Sequence, residues 1–426
     1  MAHRGAVSTP KIGSFQAERR LAVTNAVIKA VSIPIEKACR LALMLIAASA
    51  LGVVRFGTYQ FAFAAATMLA VCTDLGMSVW TTRALARDRS RAPAILATAV
   101  RLRLWVAGPY LVVIAAAALL LGPDGGGWTL ALLGLAAFVN AVLDYFAAVF
   151  RGFERLGDEA RLNVARAAFT LAAGLVALRL RPTPAALAAA LLAGVSVTAV
   201  YGGMLLRGHG LKLSPRTRPP AGLARAAFAE ALPLWLATLL SLLYFKGDVV
   251  ILKIFATDAE IGAYSAAYKV FEGLMMVPAV VLAATFTPLA RAKGDPERQR
   301  RWEGGVALVL LALGALVGAV TYLQSARIVG LVYRGGFARA VPSLRVLAAA
   351  VPILFLNFGL THFLIARDLE RRNLAFAAIM LVVNVTANLI VIPRMGGPGA
   401  AWATLLTELA LTLCCLVALR ERRSAG

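Results

Sequence analysis

Twelve apolar runs, most about 20 residues long, follow one another through the 426-residue chain, and nothing else in it constrains the fold as strongly. They lie at about 31–54, 58–80, 104–121, 128–149, 162–178, 184–206, 229–252, 261–288, 305–326, 341–363, 374–393 and 399–419. A helix needs about 20 apolar residues to cross roughly 30 Å of hydrocarbon. Composition agrees: 60% of residues are hydrophobic, 15% are charged and the mean hydropathy is +0.78, too few charges to cover a soluble surface of this size. The expected fold class is all-α, a polytopic membrane bundle of about twelve transmembrane helices. The first run carries Glu36, Lys37 and Arg40 and the tenth carries Arg345, which makes them the least apolar. No run reads as a cleaved signal peptide, because no small-residue cleavage site follows the first one.

The net charge of +23 would suggest nucleic acid in a soluble protein. Here its distribution gives the better reading. Lysine and arginine gather in every second connection, for example Arg83, Arg87, Arg89 and Arg91, or Arg291, Lys293, Arg298, Arg300 and Arg301. The intervening connections are poorer by roughly threefold, and a missed or extra span would scramble that alternation. Both termini are therefore expected in the cytoplasm, and the basic charge reports topology rather than nucleic-acid binding.

The chain divides near its middle. A basic cytoplasmic tail (1–30) leads into a first six-helix lobe (31–206); a Pro- and Gly-rich cytoplasmic linker (207–224) joins it to a second lobe (225–420) and a short tail (421–426). Gly57, Tyr59 and Ala62, opening the second run, recur 205 positions later as Gly262, Tyr264 and Ala267, opening the eighth. Six spans per half preserve orientation, so the repeat is parallel. In transporters, such halves enclose the substrate between them.

Catalytic signatures are missing. His3, His209 and His362 have no paired spacing, and Gly125–Gly127 lacks the Lys-Ser/Thr of a phosphate loop, so neither a metal site nor a nucleotide cofactor is expected. Cys39, Cys72, Cys414 and Cys415 all fall in spans and read as packing residues. Gly314 and Gly318 form a G-x-x-x-G, a close helix contact. A membrane polymerase or ligase would need acids in a sizeable outer loop, and the largest such stretch, 327–340, has no carboxylate.

The informative residues are charges inside spans, each costing about 2.5–3.5 kcal/mol at a helix centre, so they face water or a partner. Span one holds Glu36, Lys37 and Arg40, with Glu36 and Arg40 spaced for a local i, i+4 pair. Asp74 lies in span two, and Asp144 in span four with Asn140 one turn earlier. Span seven carries Lys246 and Asp248, and span eight carries Lys269 and Glu272 at i, i+3. Lys37, Arg40, Lys246 and Lys269 are the expected substrate-binding set, since a cationic interior suits a phosphate-bearing substrate. Glu36, Asp74, Asp248 and Glu272 are expected to pair with them or to carry a coupling H⁺ or Na⁺. Pro34, Pro233 and Pro278 would bend spans one, seven and eight.

Phe56-Gly57-Thr58-Tyr59, Thr73-Asp74-Leu75-Gly76, Phe150-Arg151-Gly152-Phe153-Glu154-Arg155, Lys246-Gly247-Asp248 and Ile261-Gly262-Ala263-Tyr264-Ser265 stand in order on the expected helices. They are followed by Asn384, Asn388, Ile392-Pro393, Gly396–Gly399, Trp402 and Glu408. With these stretches the chain resembles the polysaccharide (O-antigen type, Wzx-like) flippases of the MOP exporter superfamily. The resemblance implies two six-helix halves around a hydrated, often cationic cavity. It implies movement of an undecaprenyl-diphosphate-linked oligosaccharide from the cytoplasmic to the periplasmic leaflet of a bacterial inner membrane. A polysaccharide polymerase and other assembly proteins would be partners. Lipid II flippases of the superfamily carry fourteen spans, so twelve argues against the peptidoglycan precursor. The alternatives are a multidrug exporter of the same superfamily, which calls for an acidic cavity, and a polymerase or ligase.

Overall fold

The computed structural model describes residues 12–424 apart from 124, 212, 214–216, 218–219, 292–294, 334 and 368–370. The first eleven residues of the expected tail, part of the linker, Lys293 and Glu370 lie outside the described residues. Fourteen helices are seen among the rest: α1 (Ile12–Ala70), α2 (Met77–Arg87), α3 (Ala92–Leu121), α4 (Gly127–Gly152), α5 (Leu156–Leu180), α6 (Pro184–Gly208) and α7 (Leu223–Phe255). They continue as α8 (Asp258–Leu274), α9 (Met276–Arg291), α10 (Pro296–Leu323), α11 (Ser325–Tyr333), α12 (Ala340–Ala366), α13 (Arg371–Met395) and α14 (Gly397–Ser424). No strand occurs among the described residues. Eleven helical stretches are long and apolar enough to cross a membrane, and the first, Pro34–Arg87, is 54 residues long.

That first stretch is two crossings. At 1.5 Å per residue, 54 helical residues would reach about 80 Å, far beyond one bilayer. Gly52 interrupts α1 with φ 75° and ψ 167°, a conformation glycine adopts without a Cβ clash. On either side of it, Ser49 Oγ reaches the Val332 carbonyl (3.3 Å) and Arg55 the Pro182 carbonyl (3.2 Å), at one face of the bundle. At the other face the Trp235 indole N–H donates to the Val71 carbonyl (3.0 Å) and Arg87 pairs with Glu230 at 2.8 Å, both near the start of α7. The chain therefore reverses at one residue, at the start of the short connection expected around Gly52–Gly57.

Further departures are local. The second crossing is not one helix. A 3₁₀ turn at Val71–Thr73 and positive φ at Leu75 (47°) and Gly76 (74°) separate it from α2. A Cβ on Gly76 would lie 2.9 Å from the Ala231 carbonyl, so the break packs directly on α7. The eighth span is interrupted at Met275 between α8 and α9, and Pro278 occupies the first turn of α9, where its missing N–H has no helical partner to lose. Pro34 and Pro233 stay inside continuous helices. The stretch after span nine, expected on the outside, contains α11.

Packing relies on small residues, as expected where lipid removes most of the hydrophobic drive between helices. Within the first half, α4, α5 and α6 pack on one another and on α1; within the second, α12 packs on α10, α14 and α8. Gly314 and Gly318 face α12, where Cβ atoms would come within 2.8 Å of Pro352 Cα and 2.7 Å of the Ala348 carbonyl, the close contact expected from their spacing.

The two halves meet mainly where α1 crosses α8. A Cβ on Gly57 would lie 1.8 Å from the Asp258 carbonyl oxygen, and one on Gly262 would lie 1.9 Å from the Val53 carbonyl oxygen. Positions 53 and 57 precede 258 and 262 by the same 205 residues, so the contact is reciprocal. Repeat-equivalent backbones therefore touch across a local two-fold. Tyr59 and Tyr264, two positions on, are both fully buried. Beside the crossing the Thr58 hydroxyl donates to Asp258 Oδ2 (2.8 Å) and Lys253 Nζ to its Oδ1 (2.5 Å). On the arginine-rich face, the Ser90 hydroxyl and N–H hold the exposed Asp88 carboxyl below the usual carboxylate range.

Candidate functional site

A small polar cleft lies where the second arm of α1 meets α7 and α8, lined by Gln60, Lys246, Asp248, Ser265, Tyr268 and Lys269 among others. Ser265, Tyr268 and Lys269 fall at i, i+3 and i+4 on one face of α8, while Lys246 and Asp248, on either side of Gly247 on α7, both border the cleft. Lys269 Nζ binds Glu272 Oε2 at 2.6 Å, the i, i+3 pair expected from the sequence. Arg40, on the first arm of α1, approaches Glu272 Oε1 at 4.0 Å with its side chain 65% exposed. Lys37 is exposed one turn earlier.

Lys246 is different. It makes no ion pair or hydrogen bond among the described residues, although Lys269, Glu272, Asp248 and Arg40 all lie within electrostatic reach. Asp248, only 4% exposed, accepts the Tyr264 hydroxyl and the Val249 N–H (2.8 Å) rather than a lysine. Three cations, Arg40, Lys246 and Lys269, thus accompany two carboxylates, Asp248 and Glu272, while the structure does not bring Lys37 into the cluster. An anion with oxygens to spare would complete this arrangement.

The carboxylates of the first half have their own partners, and the expected Glu36–Arg40 pair does not form. Glu36 Oε1 binds Arg166 at 2.8 Å, and the same guanidinium binds Asp144 at 2.7 Å, Asn163 Oδ1 at 3.1 Å and Asn140 Oδ1 at 3.2 Å. A planar fork with five donors suits such a node better than an i, i+4 neighbour does. Asp74 pairs with Arg103, which also donates to the Ala141 carbonyl (2.7 Å) and lies over the Tyr145 ring, 4.9 Å from its centroid. Ser78 Oγ completes the Asp74 shell at 2.5 Å. Arg103 and Arg166 were not legible as site residues. Arg103 stands one residue outside the apolar run, and Arg166 is a lone cation whose carboxylate partners are on other helices.

A second polar patch occupies the other half. Glu408 Oε1 accepts the Tyr244 hydroxyl (2.9 Å) and Oε2 accepts Asn357 Nδ2 (2.7 Å). Asn388 donates to Asn384 Oδ1 (2.9 Å), and Asn384 to Thr407 Oγ1 (3.4 Å). Buried amides of this kind on two apolar helices carry no periodic signal, so their meeting with Glu408 is not legible without the fold.

The sequence profile of the family described as "Polysaccharide biosynthesis protein" matches residues 22–290, well over half of the chain. The chain belongs to this family. Among curated relatives, one named a probable low-salt glycan biosynthesis flippase of Haloferax volcanii is 28% identical over 293 residues, 66% of this chain and 59% of that protein. A second protein of the same organism, named a probable flippase, is 25% identical over 319 residues, 68% of this chain and 64% of its own length. The match thus spans less than two thirds of either relative. Solved structures show the fold. An inward-facing multidrug-resistance MATE transporter of the MOP superfamily superimposes with a TM-score of 0.77 at 16% identity, covering 94% of this chain and 98% of its own. The lipid II flippase MurJ, inward closed, gives 0.71 at 11% identity, covering 93% and 87%. A MOP-superfamily transporter from Pyrococcus furiosus gives 0.62 at 15%, covering 95% and 96%. The family and fold are those that the sequence stretches suggested.

Proposed function

We propose that this polysaccharide biosynthesis protein is a flippase that carries a lipid-diphosphate-linked oligosaccharide, of the undecaprenyl type, from the cytoplasmic to the outer leaflet. Membership of the family, relatives named as glycan flippases and a transporter fold support the class. The observation that carries the substrate is the cation excess at the meeting of the halves, with Lys246 lacking an ion-pair partner among the described residues. A diphosphate would lie between Lys246, Lys269 and Arg40, with Lys37 at the approach. Gln60 and Ser265, whose buried hydroxyl has no hydrogen-bond partner among the described residues, would meet phosphate or sugar oxygens. Without such a path, a charged head would face the full desolvation cost of hydrocarbon. The lipid tail stays in the bilayer while the head crosses between halves that open to one side at a time.

Of the carboxylates considered for ion coupling, Asp74 and Glu272 are held by cations, whereas Asp248 is held only by a hydroxyl and an amide. Asp248 is the one freest to take H⁺ or Na⁺. Both termini would lie in the cytoplasm, with a polymerase consuming the flipped product. A multidrug exporter of organic cations would want the opposite charge at the cavity. The test is flipping of a fluorescent lipid-diphosphate sugar in vesicles containing the purified protein. Transport that is lost in Lys246→Gln and Lys269→Gln supports the reading; wild-type flipping in both variants contradicts it.

A further inference from the structure

Five carboxylates are buried among the described residues: Asp158, Glu159, Asp248, Glu303 and Glu408. Glu303 is clamped by Arg367, Glu159 pairs with Arg151 at 3.3 Å, and Asp158 binds Arg161 at 3.1 Å and His209 at 2.9 Å. Asp248 has Lys246 within electrostatic reach. Glu408 has no cation among the described residues. It lies mid-way along α14 and is 4% exposed.

The groups that surround it among the described residues are neutral or acidic, and none is a cation. From α7 comes Tyr244, with Asp248 one turn on; from α8, Tyr268; from α12, Asn357; and from α13, Asn384 and Asn388 through Thr407. Its own helix adds Thr404, Thr412 and Cys415. Asn357 Nδ2 also donates to the Glu408 carbonyl at 2.8 Å, and its Oδ1 accepts the Thr412 hydroxyl at 2.8 Å, which fixes the amide as a donor toward the carboxyl. A buried ion without a counter-charge is several kcal/mol worse than its neutral form. Neutral donors alone offset only part of that.

We propose that Glu408 is a proton-binding site, taking up one proton from water and releasing it again in each transport cycle. The proton adds to Oε1, the carboxylate becomes a carboxylic acid, and no other covalent bond changes. Only Oε1 suits this. Its neighbour, the Tyr244 hydroxyl, can rotate and become the acceptor, whereas the Asn357 NH₂ on Oε2 can only donate. Tyr244 and Asp248 stand at i, i+4 on one face of α7, and Asp248 and Tyr268 line the cavity, so the polar route from cavity water to Glu408 is short. Occupancy reverses the hydrogen bond that ties α7 to α14, and α7 is a cavity wall. This consequence for transport rests on the flippase reading; the binding site itself does not.

Infrared difference spectroscopy of the full-length protein in lipid nanodiscs, stepped from alkaline to acid pH, reads the site without any substrate. A C=O stretching band of a protonated carboxyl is expected that is lost in Glu408→Gln, kept in Asp248→Asn and shifted in frequency in Tyr244→Phe. A band unchanged in Glu408→Gln, or no carboxyl band in the native protein, overturns the proposal. Should Glu408→Gln not fold, Tyr244→Phe decides alone: a band indifferent to the lost hydroxyl overturns it. Because no glycan is present, failure here removes the proton site and leaves the flippase reading standing, and failure of flipping does the reverse.

Discussion

Lys246 and Arg166 are opposite kinds of intramembrane charge, and they fail in opposite ways. Lys246 has no ion pair among the described residues, so Lys246→Gln removes a contact that only substrate would complete. A charge-assisted contact of about 1.5–3 kcal/mol corresponds to roughly tenfold to a hundredfold weaker binding. The expected outcome is therefore a loss of flipping of that order with unchanged thermal stability. Arg166 holds Glu36 and Asp144 together, so Arg166→Ala leaves two carboxylates without their cation. Breaking such a pair costs on the order of 3 kcal/mol. The unfolding temperature in nanodiscs should fall, and Arg166→Lys should recover only part of it, because an ammonium lacks the planar fork. An unchanged unfolding temperature in Arg166→Ala would mean that this node is not structural. At this scale the sequence disclosed pairs made within one helix turn, such as Lys269–Glu272. It misled where a partner 130 positions away, Arg166, outcompeted Arg40 for Glu36.

The α1–α8 crossing makes its prediction at the level of the helix. A methyl group at Gly57 or Gly262 meets a backbone carbonyl, not a side chain that could swing away, so the helices themselves must part. Gly57→Ala or Gly262→Ala should lengthen the distance between spin labels at Val54 and Thr257, measured by pulsed electron resonance. Identical distance distributions in the native protein and both variants would contradict the close crossing. The repeat that brings these glycines together was legible, because Gly-x-Tyr-x-x-Ala recurs at corresponding span openings. The shape of the elements was not. The Leu75–Gly76 break and the interruption at Met275 leave the hydropathy profile continuous, since a residue of positive φ or a single non-helical turn changes the backbone without changing which residues are apolar. Hydropathy reports what touches lipid, and backbone dihedrals report where the chain turns.

For the whole molecule, the alternation of basic and sparse connections made the number of crossings readable, because each crossing flips the side on which the next charges fall. The location of the cavity was partly readable. Charges gathered on α1, α7 and α8, but the arginines that neutralise the first half and the amide patch around Glu408 emerged only once helices distant in sequence were packed together. The resulting picture is asymmetric. Among the described residues, paired charges line the first half, cations outnumber carboxylates where the halves meet, and a carboxylate without a counter-ion sits in the second half. The most direct test of this account is mass spectrometry of lipid-linked sugars in cells lacking the protein, with the leaflet assigned by a membrane-impermeant sugar label. The account predicts accumulation of a lipid-diphosphate oligosaccharide inaccessible to the label, on the cytoplasmic side. Accumulation on the labelled outer side, or no accumulation of any lipid-linked glycan, would contradict it.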